Sequence, residues 1–391
     1  MNVLIMTSSS PFGDPRPNRL IELLLNHNIQ VDLFFKGKKS EIKNQKIFKN
    51  IYICSETINW SNSYLAKGIF TLLSAFKFYL KQNPSLPPIY YERLYPLLDK
   101  QKEQIRLSNY DYIIVEDIVL LTQATRFANI SKIIFDAREY YESQSTESIK
   151  FRFLISPIRV AILNYCLPKC SEIYTVSQAI ADAYKKKYKS NISVLRSIPK
   201  YRDIPVKETY KNNIRIVHHG IGYKTRGIKD MIDIGNSLDE RFVLDLYLVA
   251  NQNYLDEIKD YLGNSKKVNL KKPVKYDQII SMLNSYDIGL FFVKPVTFNL
   301  LNCLPNKLFE FIQGRLAVAI GPSPEMSKIV KKNNCGFVSD DFNNKSMVDL
   351  LNNLEIDDID QAKLNSNNAA KELCFENESK FLINKILSKQ Y

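Results

Sequence analysis

Residues 303–322 read CLPNKLFEFIQGRLAVAIGP. Pro305 suits the entry of a helix, where a missing N–H costs little, and Gly314 suits its exit. Leu316–Ile320 follow as a short apolar run of strand length. A helix that feeds a buried strand is the repeating step of a parallel α/β fold. One acid, Glu310, stands inside this helix among Leu308, Phe309, Phe311 and Ile312. Either it is a surface acid, or it faces a cavity and holds a polar ligand there.

The same step recurs on both sides of this stretch. Upstream, IRIVHHG (214–220) reads as a strand, followed by a helix at 228–238 and a strand at 242–250. A helix at 254–262, a strand at 267–274, a helix at 276–285 and a strand at 287–294 follow. Downstream come a helix at 324–333, a strand at 336–339 and a helix at 344–353. The first half of the chain has a similar rhythm, with strands at 3–6, 30–35, 50–54, 110–117, 131–139, 172–177 and 192–197. Its helices are expected at 18–27, 64–82, 95–108, 150–168 and 178–189. Residues 198–213, IPKYRDIPVKETYKNN, hold two prolines and many charges and have no apolar period, so the domain boundary is placed there. A length of 391 residues also favours two domains. The expected architecture is two doubly wound, Rossmann-like α/β domains facing a cleft, at 1–198 and 199–374, with ligands at the C-terminal ends of strands.

Composition narrows the class. Hydrophobic residues at 45% and charged residues at 24% are those of a globular chain. The apolar segments are strand-length or interrupted by charge, so none is expected to span a bilayer. MNVLIMTSSSPFGD has no basic leader and an apolar run of four, unlike a signal peptide. The six cysteines form no CxxC pair and no metal-ligand spacing with the three histidines, so reduced thiols, no metal site and a cytoplasmic location are expected. The formal charge of +13 favours anionic partners, among them a nucleotide, a phosphorylated lipid or an acidic membrane face. No nucleic-acid-binding motif accompanies it.

HHGIGYKTRG (218–227) ends a strand and precedes a helix. Gly220 and Gly222 lie in the loop, and Lys224 and Arg226 add charge. Backbone amides at such a helix start, together with cations, suit a pyrophosphate, although an ordinary turn with surface cations reads the same way. His218 and His219 end the strand; one is expected to pack and the other to reach a ligand.

Together these stretches resemble the retaining glycosyltransferases of family 4, which have the GT-B fold. PNKLFEFIQGRLAVAIGP is similar to the family's proline, lysine, glutamate helix and the strand after it. RGIKDMIDI resembles the segment after the donor-phosphate loop, and SEIYTVSQAIADAYKKKY the last strand and helix of the first domain. DPRPNRLIELLLNHNIQVDLF is similar to the first helix and second strand. The resemblance implies a nucleotide-diphosphate sugar as donor substrate, no cofactor and no metal. It implies that Glu310 accepts hydrogen bonds from the ribose hydroxyls, and that Asn306, Lys307 and Leu308 begin a helix facing the donor phosphates. CFENESKFLINKIL resembles a closing segment, implying that residues 375–391 pack back on the first domain.

Departures from the family pattern matter for mechanism. Asn302 stands eight positions before Glu310, where the family often has an acid. Arg226 takes the position of the phosphate-binding lysine, with Lys224 as substitute for the missing arginine. In FDAREYYE, Arg138 stands where many members have a histidine, and an arginine cannot act as a base near neutral pH. The leaving phosphate would then take the acceptor proton. Arg138, Glu139 and Asp136 are expected to bind acceptor or sugar hydroxyls, Arg16 and Arg19 an anionic acceptor, and His219 the donor. The implied acceptor is a surface glycan, a capsule or lipopolysaccharide intermediate, or a lipid-linked one at the inner membrane face. The helix at 151–169, with Arg152, Arg159 and Lys169, reads as a core helix that permits contact with an acidic membrane. The rival readings are a nucleotide-sugar 2-epimerase on the same fold and a basic nucleic-acid-binding or scaffold protein.

Overall fold

The computed structural model describes residues 1–42, 45–54, 95, 97–127 and 132–387; the helix expected at 64–82 lies outside them. The chain forms two compact units. The first is Met1–Leu195 with Thr297–Asn299 and Ile383–Tyr391, and the second is Arg196–Val296 with Leu300–Leu382. The division falls after Leu195 rather than after residue 198, and the tail joins the first unit at Ile383 rather than at 375. The reason is a set of bonds inside the second unit. Glu378 accepts from the backbone N–H and guanidinium of Arg196, and Pro199 O accepts from Phe375 N at 2.9 Å. Within the first unit, Lys385 Nζ lies 2.8 Å from Glu172.

Each strand expected from an apolar run is present. The first unit has β1 Asn2–Thr7, β2 Gln30–Phe35, β3 Ile51–Ile53, β4 Tyr112–Val115, β5 Ile133–Ala137, β6 Glu172–Thr175 and β7 Ser193–Val194. They form one parallel sheet in the order β3-β2-β1-β4-β5-β6-β7. The second unit has β8 Ile214–Ile221, β9 Phe242–Val249, β10 Val268–Lys271, β11 Ile288–Phe291, β12 Ala317–Ile320 and β13 Gly336–Val338. Their order is β10-β9-β8-β11-β12-β13, again parallel. Sheets of this kind are covered on both faces, so their central strands are apolar without alternation. Val3–Met6 of β1 and Ala317–Ile320 of β12 are accordingly fully buried. Both units are Rossmann-like, and in both the chain reverses direction across the sheet between the first and fourth strands (β1/β4, β8/β11). Loops leaving such a pair part in opposite directions and open a crevice.

Local chemistry explains the helix ends. Asp14 caps the first helix, Pro15–Asn26, by accepting from Arg16 N at 3.1 Å, so it starts three residues before the expected Asn18. The segment expected as one helix at 150–168 is a π-helical turn, Phe151–Ile155, followed by an α-helix, Ser156–Cys166. Helices at Ile118–Phe127 and Phe298–Asn302 were not expected.

One polar device is built twice. In the first unit Tyr110, two residues before β4, donates to Asp32 of β2 at 2.6 Å and lies 3.0 Å from the Tyr52 hydroxyl; Asn50 also donates to Asp32. In the second, Tyr286, two residues before β11, donates to Asp245 of β9 at 2.7 Å and lies 2.9 Å from the Tyr247 hydroxyl; Asn269 also donates to Asp245. The next residue repeats too. Asp111 accepts from Asn2 N at 2.7 Å, and Asp287 from Arg215 N at 2.9 Å. Each pair closes the start of the central strands, opposite the crevice end.

Candidate functional site

In the second unit the crevice lies where β8 and β11 end. Glu310 sits on the helix Asn306–Gln313, and Leu308, Phe309, Phe311 and Ile312 around it are fully buried. Glu310 is itself only 4% exposed, which removes the surface-acid reading. Its Oε2 lies 3.3 Å from His219 Nε2 at the end of β8, within ion-pair distance but outside hydrogen-bond geometry. The His219 ring stands edge-on to Phe311 at 5.7 Å. His218 is the packing histidine. Its Nδ1 lies 2.9 Å from Leu290 O, so Nδ1 carries the proton, and burial, then the charge of Lys307, hold it well below its usual range and neutral.

Lys307 lies beside Gly220. Gly220 has φ +121°, and a Cβ there would stand 2.6 Å from Lys307 Nζ. The glycine is needed twice, for its backbone conformation and for the space the lysine occupies. Burial lowers the Lys307 pKa; Glu310 offsets this and the charge of Arg226 adds to it. Gly227 has φ +67°, and a Cβ there would press on Phe292 O, so the loop after β8 lies directly against the end of β11. Gly222 donates to Val249 O at 3.0 Å. Arg226 is exposed and has no ion pair among the described residues, whereas Lys224 lies 3.4 Å from Glu257, which also binds Lys229 at 2.7 Å. Lys224 therefore has a carboxylate partner where a phosphate was expected.

Asn306 and Lys307 open the helix after Pro305. Leu308 N donates to Pro305 O at 3.1 Å and its side chain is buried, so Leu308 serves packing. Asn302 closes the Phe298–Asn302 helix and is buried. A pocket of about 610 Å³ in this unit opens instead beside β13, lined by Asp340, Asp341 and Asp349. Its acids disfavour an anion, and it lies at the sheet edge, so the cationic crevice is the better candidate.

In the first unit the ends of β1, β4 and β5 carry a closed set of charges. Arg16 donates to both oxygens of Asp136, at 2.5 and 2.8 Å, and to Leu195 O at 2.9 Å. Arg138 donates to Asp14 and to Glu116. Burial alone would depress the Arg138 guanidinium, but Glu116, Asp14 and Asp136 outweigh it and hold it well above its ordinary value. Burial pushes the Glu116 carboxyl up, opposed by Arg138 and reinforced by Asp136; Glu116 Oε1 has no hydrogen-bond partner. Arg16 and Arg138, expected to meet substrate, are thus engaged by carboxylates of their own unit. Arg19 is buried in the same helix. Glu139 is half-buried, with its carbonyl accepting from Tyr184 at 2.8 Å. Tyr140 exchanges backbone bonds with the Asn299 amide at 2.8 and 3.1 Å, and Phe298 packs on its ring. Asp14 and Glu116 were not singled out by sequence; the signal for Glu116 was an acid directly after the buried run YIIV.

No protein-family model matches the chain, and no protein with a curated description does. Solved structures do match. Anabaena Alr3699/HepE, solved with UDP and glucose, aligns over all of both chains with a TM-score of 0.69 at 15% identity. WaaG, a glycosyltransferase involved in lipopolysaccharide biosynthesis, aligns over 99% of both with a TM-score of 0.65 at 12% identity. Sucrose-phosphate synthase from Thermosynechococcus elongatus gives 0.69 at 10% identity, covering 100% of this chain and 99% of its own. These are GT-B glycosyltransferases, and the chain shares their fold.

Proposed function

We propose that the chain is a glycosyltransferase that takes its sugar from a nucleotide diphosphate donor bound by the second unit. The observation that carries this reading is the group formed by Glu310, His219, Lys307, Gly220 and Arg226 at the β8/β11 crevice of a GT-B chain. Glu310 accepts from the ribose hydroxyls, a carboxylate being able to take both at once. The diphosphate lies at the start of the Asn306–Gln313 helix, where unbonded amides favour an anion. Lys307 and Arg226 supply the positive charge there, and Asn302 holds a sugar hydroxyl. The ligated HepE structure supports a uridine nucleotide as the first donor to test.

The reaction is retaining and needs no metal. The bond from the anomeric carbon to the diphosphate breaks, the acceptor oxygen bonds to that carbon on the same face, and the acceptor proton passes to the departing phosphate. Lys307 and Arg226 stabilise the charge that develops on the diphosphate. The acceptor is a surface-glycan intermediate, lipid-linked or free, a reading supported by the likeness to WaaG and by the charge of +13. No helix among the described residues is long and apolar enough to cross a membrane.

The test is a thermal-shift panel of uridine, guanosine and cytidine diphosphate sugars and cytidine monophosphate sugars, because a ligand of the folded state raises its apparent stability. A shift with one class names the nucleotide, and release of that nucleotide on adding acceptor establishes transfer. No shift with any of them counts against the reading.

A further inference from the structure

The helical stretch from Ile149 to Cys166 is apolar on two sides. Phe151, Ile158, Ile162, Leu163 and Cys166 are buried in the first unit. On another side stand Ile149, 67% exposed, and Phe153, 61% exposed, with half-buried Pro157 and Val160 continuing the row. The spacings of four, four and three put these residues on one side of a helix. Core packing explains the inner face and leaves the outer one unexplained. An exposed apolar row on a firmly held helix marks an interaction surface. The helix is firmly held: Arg159 donates to Tyr141 O at 2.9 Å and Ser156 to Glu142 O at 2.8 Å.

Charge selects the partner. From Ser148 to Ser171 there is no acid, while Lys150, Arg152, Arg159 and Lys169 are present, and Lys150 and Arg152 are exposed beside Ile149 and Phe153. We propose that this outer face, Ile149, Lys150, Arg152 and Phe153, docks on an anionic lipid bilayer, with the two apolar side chains in the headgroup boundary and the two cations on lipid phosphates. A second copy of the chain fits less well, because a two-fold contact would bring each cation pair against its own copy. The surface stands without the nucleotide-sugar reading and would give that enzyme access to lipid-linked acceptors.

Vesicle cosedimentation of the full chain tests it. Binding is expected to vesicles of phosphatidylglycerol with phosphatidylcholine, to weaken with added salt, and to be absent with phosphatidylcholine alone. Ile149→Ser with Phe153→Ser should weaken binding at least about tenfold. Lys150→Gln with Arg152→Gln should weaken it roughly thirtyfold. Tyr210→Ser, at another exposed aromatic (73%), should leave it unchanged. A thermal melt of each variant matching the parent keeps the comparison valid, since all four positions are on the surface. Equal binding by parent and surface variants overturns the proposal, as does failure to bind anionic vesicles. Self-association that the Ile149/Phe153 variant abolishes would assign the face to a second copy instead. None of these readouts uses a nucleotide sugar, so this surface and the donor site can fail separately.

Discussion

The two units share a frame and differ at its working end. Both place an aspartate, two tyrosine hydroxyls and an asparagine in one network beside their central strands, Asp32 with Tyr110, Tyr52 and Asn50, and Asp245 with Tyr286, Tyr247 and Asn269. At the working end the first unit neutralises its cations internally, Arg16 on Asp136 and Arg138 on Asp14 and Glu116. The second leaves Lys307 and Arg226 without an ion pair among the described residues. Similar scaffolding with different charge matching teaches that the fold itself carries no chemistry; the loops after the strands do. A cation already matched to a carboxylate holds structure. A cation left unmatched has affinity to spend on a ligand.

The largest effect expected from this contrast is in the first unit. Arg16→Ala strands the buried Asp136, and should cost roughly 3–5 kcal/mol of stability in denaturant unfolding. Adding Asp136→Asn should recover part of that loss. Full stability in Arg16→Ala would mean the pair is not structural, and the contrast breaks.

Next is Glu310→Gln, which should weaken donor binding by roughly 1.5–3 kcal/mol while the unfolding midpoint stays near that of the parent. Calorimetric titration with the best donor from the thermal-shift panel measures it, and unchanged affinity would remove Glu310 from the ribose. Smaller again, Arg226→Ala should raise the donor dissociation constant about tenfold, on the order of one charge-assisted contact. Lys224→Ala should do less, because Glu257 already holds it; the reverse order would show that the loop has been misread.

Lys307→Met should raise the stability of the ligand-free protein by on the order of 1 kcal/mol, since a crowded, unpaired lysine is replaced by an apolar chain of similar length. The same variant should bind donor more weakly. In the parent, the lowered Lys307 pKa sets the sign of the pH dependence. The charged form binds diphosphate, so affinity is greatest below that pKa and falls as pH rises through it, earlier than for an ordinary lysine at about pH 10.4. A pH series on parent and Lys307→Met separates this from titration of the donor.

The smallest expected difference sharpens the shared half of the comparison. Tyr110→Phe and Tyr286→Phe each remove one hydroxyl bond to a buried carboxylate, at 2.6 and 2.7 Å. Each should cost roughly 1–3 kcal/mol. The two costs should agree within about 0.5 kcal/mol when measured on the same chain. A wider gap would show that one network is bound into its unit more tightly than the other.

Much of this was legible in the chain. Parallel strands are buried on both faces, so they appear as unbroken apolar runs, and β1, β8 and β12 needed nothing further to be found. The Ile118–Phe127 helix was hidden for the same reason: Ile118, Leu120, Leu121, Thr122, Gln123 and Ala124 are all buried, so no polar face marks its period. Glu310 stood out because it interrupts an apolar helix. Glu116 and Asp14 looked like ordinary acids because their shared partner, Arg138, comes from another loop.

What the sequence determined by itself is whatever depends on near neighbours: strand and helix periods, the glycines after β8, and the alternation that makes both sheets parallel. Tertiary structure alone decided which cations are matched. Lys224 and Arg226 are two residues apart in one loop, yet one meets Glu257 from another helix and the other does not. Arg16 and Asp136 are 120 residues apart and form a buried pair. Charge interactions act through space at a few ångströms, and sequence distance says nothing about that separation until the strands have brought their ends together.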